Sequence, residues 1–418
     1  MSQSDESDSN EFLIPEPLPY HQTIRSHFKN TEPEMWEWFS KTKTQSDHAE
    51  NVKFDLLKST YRIDRSTNET LYRIADETLK TLGVDVPVTF YQAQSGEGLN
   101  ASICSMVDEA HIVFRGPVFK RLNETELKAL IAHELGHLIL WRDWDRDFLI
   151  TEMILAAQTN DPRVQPPHLE TARLFQLHTE VFCDRVALNV VKEPGIVIAT
   201  LIKMITGVED VHPDSYLKQA REIEAKGELG SEGLTHPELH IRALSVDQWN
   251  AAENEEQKSV ASEKIETYLV GNLTINLDLP GQQKVANWTR RLIVLLMAPG
   301  WMQTDLNLAH AKAFFEDFKA PDSNARHTDS ALLDEFGKIE DDQLRQYFVY
   351  VMLDFSAADR DLEFAPIALA LGLAIECGWQ EIYSAAVRKE LRLRKKQMTE
   401  IEKTRKQIIE DAVSKAKP

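Results

Sequence analysis

One helix that is apolar around most of its circumference, yet carries two histidines and a glutamate, most constrains how this chain can fold. It is predicted over Asn123–Trp141 and contains the sequence HELGH at 133–137. Asn123 can cap its N-terminus, and Glu126 three residues later completes a capping box. Because apolar residues surround most of this helix, we expect it to be buried rather than amphipathic. Buried charges need pairing or a metal, so the polar residues in its middle require an explanation.

The spacing of the two histidines favours a metal site. His133 and His137 are four residues apart and therefore stand on one face of the helix, one turn from each other. Zinc binds imidazole nitrogens at ~2.0–2.1 Å, and a catalytic zinc keeps one position open for water. The metal lowers the pKa of that water, and the neighbouring Glu134 can accept its proton. The alternative is two core histidines with ordinary hydrogen-bond partners, so the interpretation depends on a third ligand.

A second buried helix, predicted over His168–Val191, offers that ligand. Glu180 and Asp184 are four residues apart on one face of this helix. Two acids in a largely apolar helix either form salt bridges with Arg173 or Arg185, or serve a metal. In the second case Glu180 is the third zinc ligand, and Asp184 accepts a hydrogen bond from a ligand histidine.

Two other residues compete with Glu180 for the metal. Asp143 lies ten residues after His133, where the pattern HExxHxxGxxH has its last ligand. Leu140 occupies the position at which that pattern needs a glycine for a sharp turn, which argues against Asp143. Cys183 could instead close a structural zinc site with no open position and no activity. We favour Glu180, because Asp143 lies in a run of alternating charges that resembles a solvated helix end.

The composition limits the class of protein. The chain has 418 residues, enough for two or three domains, and its formal net charge of -20 argues against a nucleic-acid partner. Three scattered cysteines are too few for a disulfide scaffold and fit a reducing compartment. The acidic N-terminus has no signal-peptide core, and no apolar run is long and continuous enough to span a bilayer. We therefore expect a cytoplasmic protein without membrane insertion.

The segment before the metal helix predicts a small antiparallel sheet. Glu69–Leu82 is predicted to form an amphipathic helix that ends at Gly83. Strands are predicted at 86–91, 101–106 and 111–114. An extended peptide could pair with an exposed edge of such a sheet, unless a loop covers it.

Three motifs occur in order along the chain: HELGH at 133–137, E-x-x-x-D at 180–184 and T-H-P-x-x-x-x-R at 235–242. Together with the segments 98–101 and 126–129, they resemble the gluzincin family of HtpX heat-shock proteases and CAAX prenyl endopeptidases, peptidase family M48. The resemblance covers about residues 68–250. This chain differs from the family at Cys183, where a small residue is usual, and in its lack of the membrane-spanning segments found in many relatives.

The resemblance implies a role for each site residue. His133, His137 and Glu180 would bind one zinc ion per chain, and Glu134 would be the general base. Asp184 would orient a ligand, His236 would help to stabilise the tetrahedral intermediate, and Arg242 would shape the site or contact the substrate. The implied activity is that of a zinc-dependent metalloendopeptidase acting on a peptide or protein through a metal-bound water. The alternative is a catalytically inactive peptide-binding module on the same fold, against which the intact Glu134 argues.

We therefore predict an α+β protein: a mainly helical zincin-type peptidase domain with a small antiparallel sheet, followed by an all-α C-terminal domain. The predicted divisions are a disordered N-terminus and helical arm at 1–67, the peptidase domain at 68–250, a helical accessory domain at 266–394 and a charged helical tail at 395–418. Residues 251–265 are predicted to be a linker or an exposed helix. The accessory domain faintly resembles TerB-like tellurite-resistance domains. A protein partner could bind through this helical region. The tail has an excess of basic residues, so it is either a solvated segment or a contact for an acidic partner.

Overall fold

The computed structural model of this chain describes residues 14–94, 98–227, 230–270, 277–322 and 329–415, except the side chains of residues 42–49. The predicted disordered residues 1–11 lie outside this description. The described chain forms two compact units, one reaching to residue 270 and including Leu277–Pro280, the other starting at Gly281. No helix in the described ranges is long and apolar enough to cross a membrane.

The first unit consists mainly of helices. They are α1 (Pro19–Thr31), α2 (Pro33–Phe39), α3 (Thr42–Ser59), α4 (Glu69–Leu82), α5 (Val118–Arg121), α6 (Glu124–Arg142), α7 (Asp147–Thr159), α8 (Pro166–Val191), α9 (Pro194–Thr206), α10 (Pro213–Ala225), α11 (Leu239–Ala251) and α12 (Glu255–Val270). The helix predicted at Glu69–Leu82 is confirmed, and it ends at Gly83, whose positive φ of 67° suits a glycine. Helix α8 begins two residues before its predicted start, at Pro166, because proline is well tolerated in the first turn.

Among the described residues the sheet has four strands, β1 (Thr60–Arg62), β2 (Val88–Ala93), β3 (Asn100–Ile103) and β4 (Ala110–Arg115), in the order β1-β2-β4-β3. It is mixed, so the prediction of a purely antiparallel sheet is wrong. β2 and β4 are parallel, whereas β1 and β3 are antiparallel to their neighbours. The reason is the position of β3. Three consecutive strands would all be antiparallel if β3 lay between β2 and β4, but β3 pairs with the other edge of β4, so β2 and β4 are direct neighbours. Strand β4 is accordingly buried along almost its whole length, as is typical of an inner parallel strand.

Helices α6 and α8 pack against each other in the core of the first unit. The predicted capping box is present: Oδ1 of Asn123 accepts from the backbone N–H of Glu126 at 2.9 Å, and the Glu126 carboxylate accepts from the backbone N–H of Asn123 at 2.9 Å. At the contact between the two helices, a Cβ at Gly136 would lie 3.0 Å from the Cα of Cys183. The glycine therefore allows the two helices to approach closely, which brings their polar side chains together.

Two segments outside the predicted limits 68–250 also belong to this core. Helix α1 buries Ile24 and Phe28. Helix α12 buries Ala261 and Ile265 within the stretch 251–265, and Tyr268 and Leu269 beyond it, so the prediction of a linker or exposed helix is wrong for the end of that stretch. The buried positions repeat at helical spacing, but polar residues between them give the segment the composition of a linker. The predicted functional domain limits remain a prediction.

The second unit is all helical within its described residues. Its helices are α13 (Leu279–Met297, of which the first two residues belong to the first unit), α14 (Asp305–Phe314), α15 (Ser330–Gly337), α16 (Asp342–Ala357), α17 (Ala365–Glu376), α18 (Gln380–Glu390) and α19 (Lys395–Lys415). These helices share a core of their own. The charged tail forms α19, which buries Met398 and Ile401 in that core. The mainly helical α+β architecture is thus confirmed.

Candidate metal centre

Helices α6 and α8 bring three predicted ligands together. Nε2 of His133 lies 3.4 Å from Oε2 of Glu180, and Nε2 of His137 lies 3.6 Å from Oε1 of the same carboxylate. His133 and His137 are one turn apart on α6 and therefore share one face of that helix. This face is turned towards α8. The three side chains therefore present two imidazole nitrogens and a carboxylate to one small, largely buried space.

The carboxylate of Glu180 carries the observation that fits a metal. Its Oε2 is buried and, among the described residues, accepts no hydrogen bond. It lies 3.3 Å from Nη1 of Arg242 and 3.4 Å from Nε2 of His133, in neither case with hydrogen-bonding geometry. A buried ionised oxygen without a hydrogen bond is costly, and a bound cation would remove that cost. The residues present thus fit a metal ion held by two histidines and one glutamate.

The electrostatics of the centre favour a cation there. Burial would raise the pKa of Glu180, but Arg242 and His133 hold it well below its usual range. Burial lowers the pKa of His137 to about 4, so this imidazole is neutral and able to bind a metal. Burial alone would also lower the pKa of His133, but its hydrogen bond to Asp184 and the negative charge of the nearby Glu180 raise it to about 10. The same negative charges that hold a proton on His133 would hold a metal ion.

Asp184 connects the centre to a third helix. Its Oδ1 accepts a hydrogen bond from Nδ1 of His133 at 2.9 Å, which leaves Nε2 directed at Glu180. Arg242, on α11, donates to Asp184 through Nε at 2.8 Å and through Nη2 at 2.6 Å. Such an arrangement fixes the orientation of a ligand histidine.

The salt-bridge partners considered for these acids are wrong. Arg173 pairs with Glu170 at 2.7 Å, and the guanidinium of Arg185 lies over the ring of Trp249. The cation that pairs with Asp184 is Arg242, 58 residues further along the chain. No local spacing indicates this pairing, and only the T-H-P-x-x-x-x-R motif draws attention to the residue.

Glu134 is positioned as a proton acceptor. It is buried beside the two histidines, and burial raises the pKa of its carboxyl group to about 7. The backbone N–H of Ile103 on β3 donates a hydrogen bond to it. A carboxylate whose pKa lies near neutrality is well suited to general base catalysis.

His236 reaches the centre from the loop that precedes α11. Its Nε2 lies 3.5 Å from Oε1 of Glu180, while its side chain is 55% exposed. Its Nδ1 lies 2.8 Å from the hydroxyl oxygen of Thr235. The structure therefore places His236 where the centre opens to solvent.

The two competing ligands occupy different environments. Ligand atoms of His133, His137 and Cys183 all lie within 4.8 Å of one another, so the thiol is close enough to compete. Burial raises the pKa of that thiol well above its usual range, which disfavours the thiolate that binds metals. Asp143 follows the end of α6 and pairs with Arg142 at 3.0 Å. Leu140 stays helical and buried, so the chain makes no sharp turn there.

A cleft of about 440 Å³ opens beside the metal centre. Its walls include the start of β3, one side of α9, and six residues of the centre: His133, Glu134, Glu180, Asp184, His236 and Arg242. The sequence did not predict that α9 lines this cleft. From the sequence, the apolar run at 195–208 is considered only as a possible membrane span, for which it is too short. The signal that could have revealed it is the helical spacing of Val197, Leu201 and Met204 on a helix that is not fully buried.

Comparisons with known proteins agree with the metal centre. Residues 65–160 match the model of Peptidase family M48. The chain is similar to the Plastoglobule-localized metallopeptidase 48, chloroplastic, of Arabidopsis thaliana, with 27% identity over 207 residues, which are 45% of this chain and 59% of that protein. The chain thus matches less than two thirds of the length of this relative. No solved structure matches the chain.

The family match confirms the resemblance over residues 65–160, which include strands β2, β3 and β4, helix α6 and the HELGH sequence. It ends in α7. Glu180, Asp184, His236 and Arg242 lie beyond it, and their roles remain predictions that rest on geometry.

Proposed function

We propose that this chain, whose residues 65–160 match the model of Peptidase family M48, is a zinc-dependent metalloendopeptidase that hydrolyses peptide bonds in a peptide or protein substrate. The family implies a metallopeptidase kind of function and a bound metal. The observation that carries the proposal is the convergence of His133 and His137 on the buried carboxylate of Glu180, whose Oε2 accepts no hydrogen bond from the described residues.

In this proposal each residue has a separate task. His133, His137 and Glu180 hold the zinc, and Asp184 with Arg242 keeps His133 oriented through its Nδ1. A bound zinc would supply a Lewis acid that lowers the pKa of a water molecule and polarises the substrate carbonyl. Glu134 accepts the proton of the attacking water and delivers it to the leaving amine. His236, at the open side of the centre, donates a hydrogen bond to the oxyanion of the tetrahedral intermediate.

Replacing the general base tests the proposal. Glu134→Gln keeps the size of the side chain but removes the proton acceptor, so we expect zinc to stay bound and hydrolysis to fall by about 10²–10⁴-fold. Zinc content by atomic absorption and cleavage of a denatured protein substrate are measured on the same preparations. Glu124→Gln makes the same chemical change in the exposed first turn of α6 and should leave both quantities unchanged.

Each result has a clear meaning. Near-normal cleavage by Glu134→Gln would contradict the role of this residue. A zinc-loaded wild-type protein that binds peptides but cleaves none would favour the alternative, a catalytically inactive peptide-binding module.

The wider setting of the chain remains a prediction. The name of the Arabidopsis relative places that protein at chloroplast plastoglobules, whereas the composition of this chain led us to expect the cytoplasm. The expected absence of a nucleic-acid partner, the protein partner of the C-terminal region and the TerB-like resemblance likewise remain predictions.

A further inference from the structure

The cleft beside the metal centre has one polar end and one apolar end. Glu134 and two of the predicted zinc ligands, His133 and Glu180, form the polar end. At the other end, apolar side chains from two helices line the wall: Leu130 of α6, and Val197, Leu201, Met204 and Ile205 of α9. Leu130 lies one turn before Glu134 on α6. The apolar end therefore begins about one helical turn from the residue that we propose as general base.

The polar groups at the apolar end already have partners. The hydroxyl of Thr200 donates to the backbone oxygen of Ile196 at 2.8 Å. The carboxylate of Glu238 accepts from the hydroxyl of Ser231 at 2.7 Å and from the backbone N–H of Glu232 at 2.9 Å. These groups are already bonded within the protein and the rest of this wall is apolar, so a polar substrate side chain entering here would exchange most of its water for apolar contacts. Such a loss is unfavourable, so this end of the cleft discriminates against polar side chains.

Strand β3 provides a route for the substrate backbone. It lies at the end of the sheet, and within the described residues β4 is its strand neighbour. Leu99, Asn100 and Ala101 line the same cleft, and Ile103 at the other end of the strand bonds to Glu134. A peptide added to this edge would pass both Glu134 and α9. A side chain next to the reacting bond would then point at the apolar end.

We propose, on the basis of the peptidase function above, that the apolar end of the cleft selects a large apolar side chain directly flanking the cleaved bond, and that Met204 determines this specificity. Met204 is half-buried at the wall, and Ile205 at the rim is 55% exposed. An unbranched methionine adapts to side chains of different shape, so Leu, Ile, Met and Phe are all accepted. Burying such a side chain instead of Ser or Gln raises kcat/KM by about 10–100-fold.

The test is the cleavage of a random peptide mixture by the full chain loaded with zinc, with product ends identified by mass spectrometry. We expect large apolar residues to be enriched at one position flanking the cleaved bond. Met204→Glu places a carboxylate in the wall, so this enrichment should disappear and Lys or Arg should gain at least about tenfold relative to Leu. Thr206→Glu adds the same charge to the same helix outside the cleft and should keep the wild-type profile. Zinc content and melting temperature show whether both variants are folded.

The outcomes separate the subsite from the peptidase function. Cleavage without apolar enrichment at either flanking position, or a Met204→Glu profile equal to that of Thr206→Glu, overturns the subsite and leaves the peptidase function intact. If the wild-type protein cleaves no peptide, the proposed peptidase function is contradicted. The apolar subsite is then tested by measuring peptide binding. Zinc-loaded Glu134→Gln is then titrated with two peptide pools, one rich in Leu, Ile, Met and Phe, the other in Ser, Gln and Gly. Equal affinity overturns the subsite, whereas tighter binding of the apolar pool that is lost on adding Met204→Glu supports it.

Discussion

Glu180 is the residue on which the metal centre depends most. Its carboxylate reaches towards both histidines, whereas the Cys183 thiol is held neutral by burial. We predict that Glu180→Ala loses zinc and activity, while Cys183→Ser and Asp143→Ala retain both. Zinc content and hydrolysis of the purified variants are the measurements. A Glu180→Ala protein with full zinc would contradict the proposed ligand set, and a Cys183→Ser protein without zinc would identify the thiol as the ligand.

Asp184 should act by orienting His133 rather than by touching the metal. Asp184→Asn keeps the shape of the side chain but loses the charge that holds both His133 and Arg242. We expect zinc affinity, measured by competition with a chelator, to fall by about 10–100-fold. Asp161→Asn removes a partly exposed carboxylate that pairs with Arg163, far from the centre in sequence, and serves as the control. Equal affinity in both variants would mean that the bond between Asp184 and His133 has no effect on the metal.

Helix α6 is the element that carries both the local signals and the chemistry, and its start can be tested separately. Asn123→Ala removes the acceptor for the backbone N–H of Glu126. We expect the free energy of unfolding to fall by about 1 kcal/mol, measured by urea denaturation. Asn68→Ala is a matched control, because Asn68 also precedes a helix but its side chain makes no capping hydrogen bond. If both substitutions cost the same, the capping box contributes nothing measurable.

At the scale of the whole molecule, the unit boundary predicts which truncations preserve the centre. Helix α12 buries Tyr268, and its Glu266 lies 2.7 Å from the buried His178 of α8. The backbone N–H of Leu279 donates to the hydroxyl of Thr171 at 2.9 Å. We therefore expect a fragment ending at residue 280 to fold and bind zinc, and one ending at residue 254 to lose most of its stability. Circular dichroism melting and zinc content distinguish the two. An equally stable shorter fragment would show that α12 is dispensable.

The sequence by itself determined the features that depend on residues close together in the chain. The capping box at Asn123, the helical phase of His133 and His137, and the pairing of Glu180 with Asp184 on one face all follow from spacings of three or four residues. Such contacts need no knowledge of the rest of the fold, because helix geometry alone brings these positions together.

The tertiary structure decided every feature that depends on which distant segments meet. It placed β4 parallel to β2, paired Arg242 with Asp184, and turned α9 towards the cleft. The predicted strands were placed to within a few residues, but their neighbours were not, because hydrophobic alternation indicates a face and not a partner. The same limit applies to α12, whose buried stripe has the spacing of a helix but the composition of a linker. Helices α6 and α8 pack closely at Gly136. This packing brings the HELGH pattern of α6 and the E-x-x-x-D pattern of α8 into one centre, because only contact across the core places the carboxylate of α8 beside the two histidines of α6.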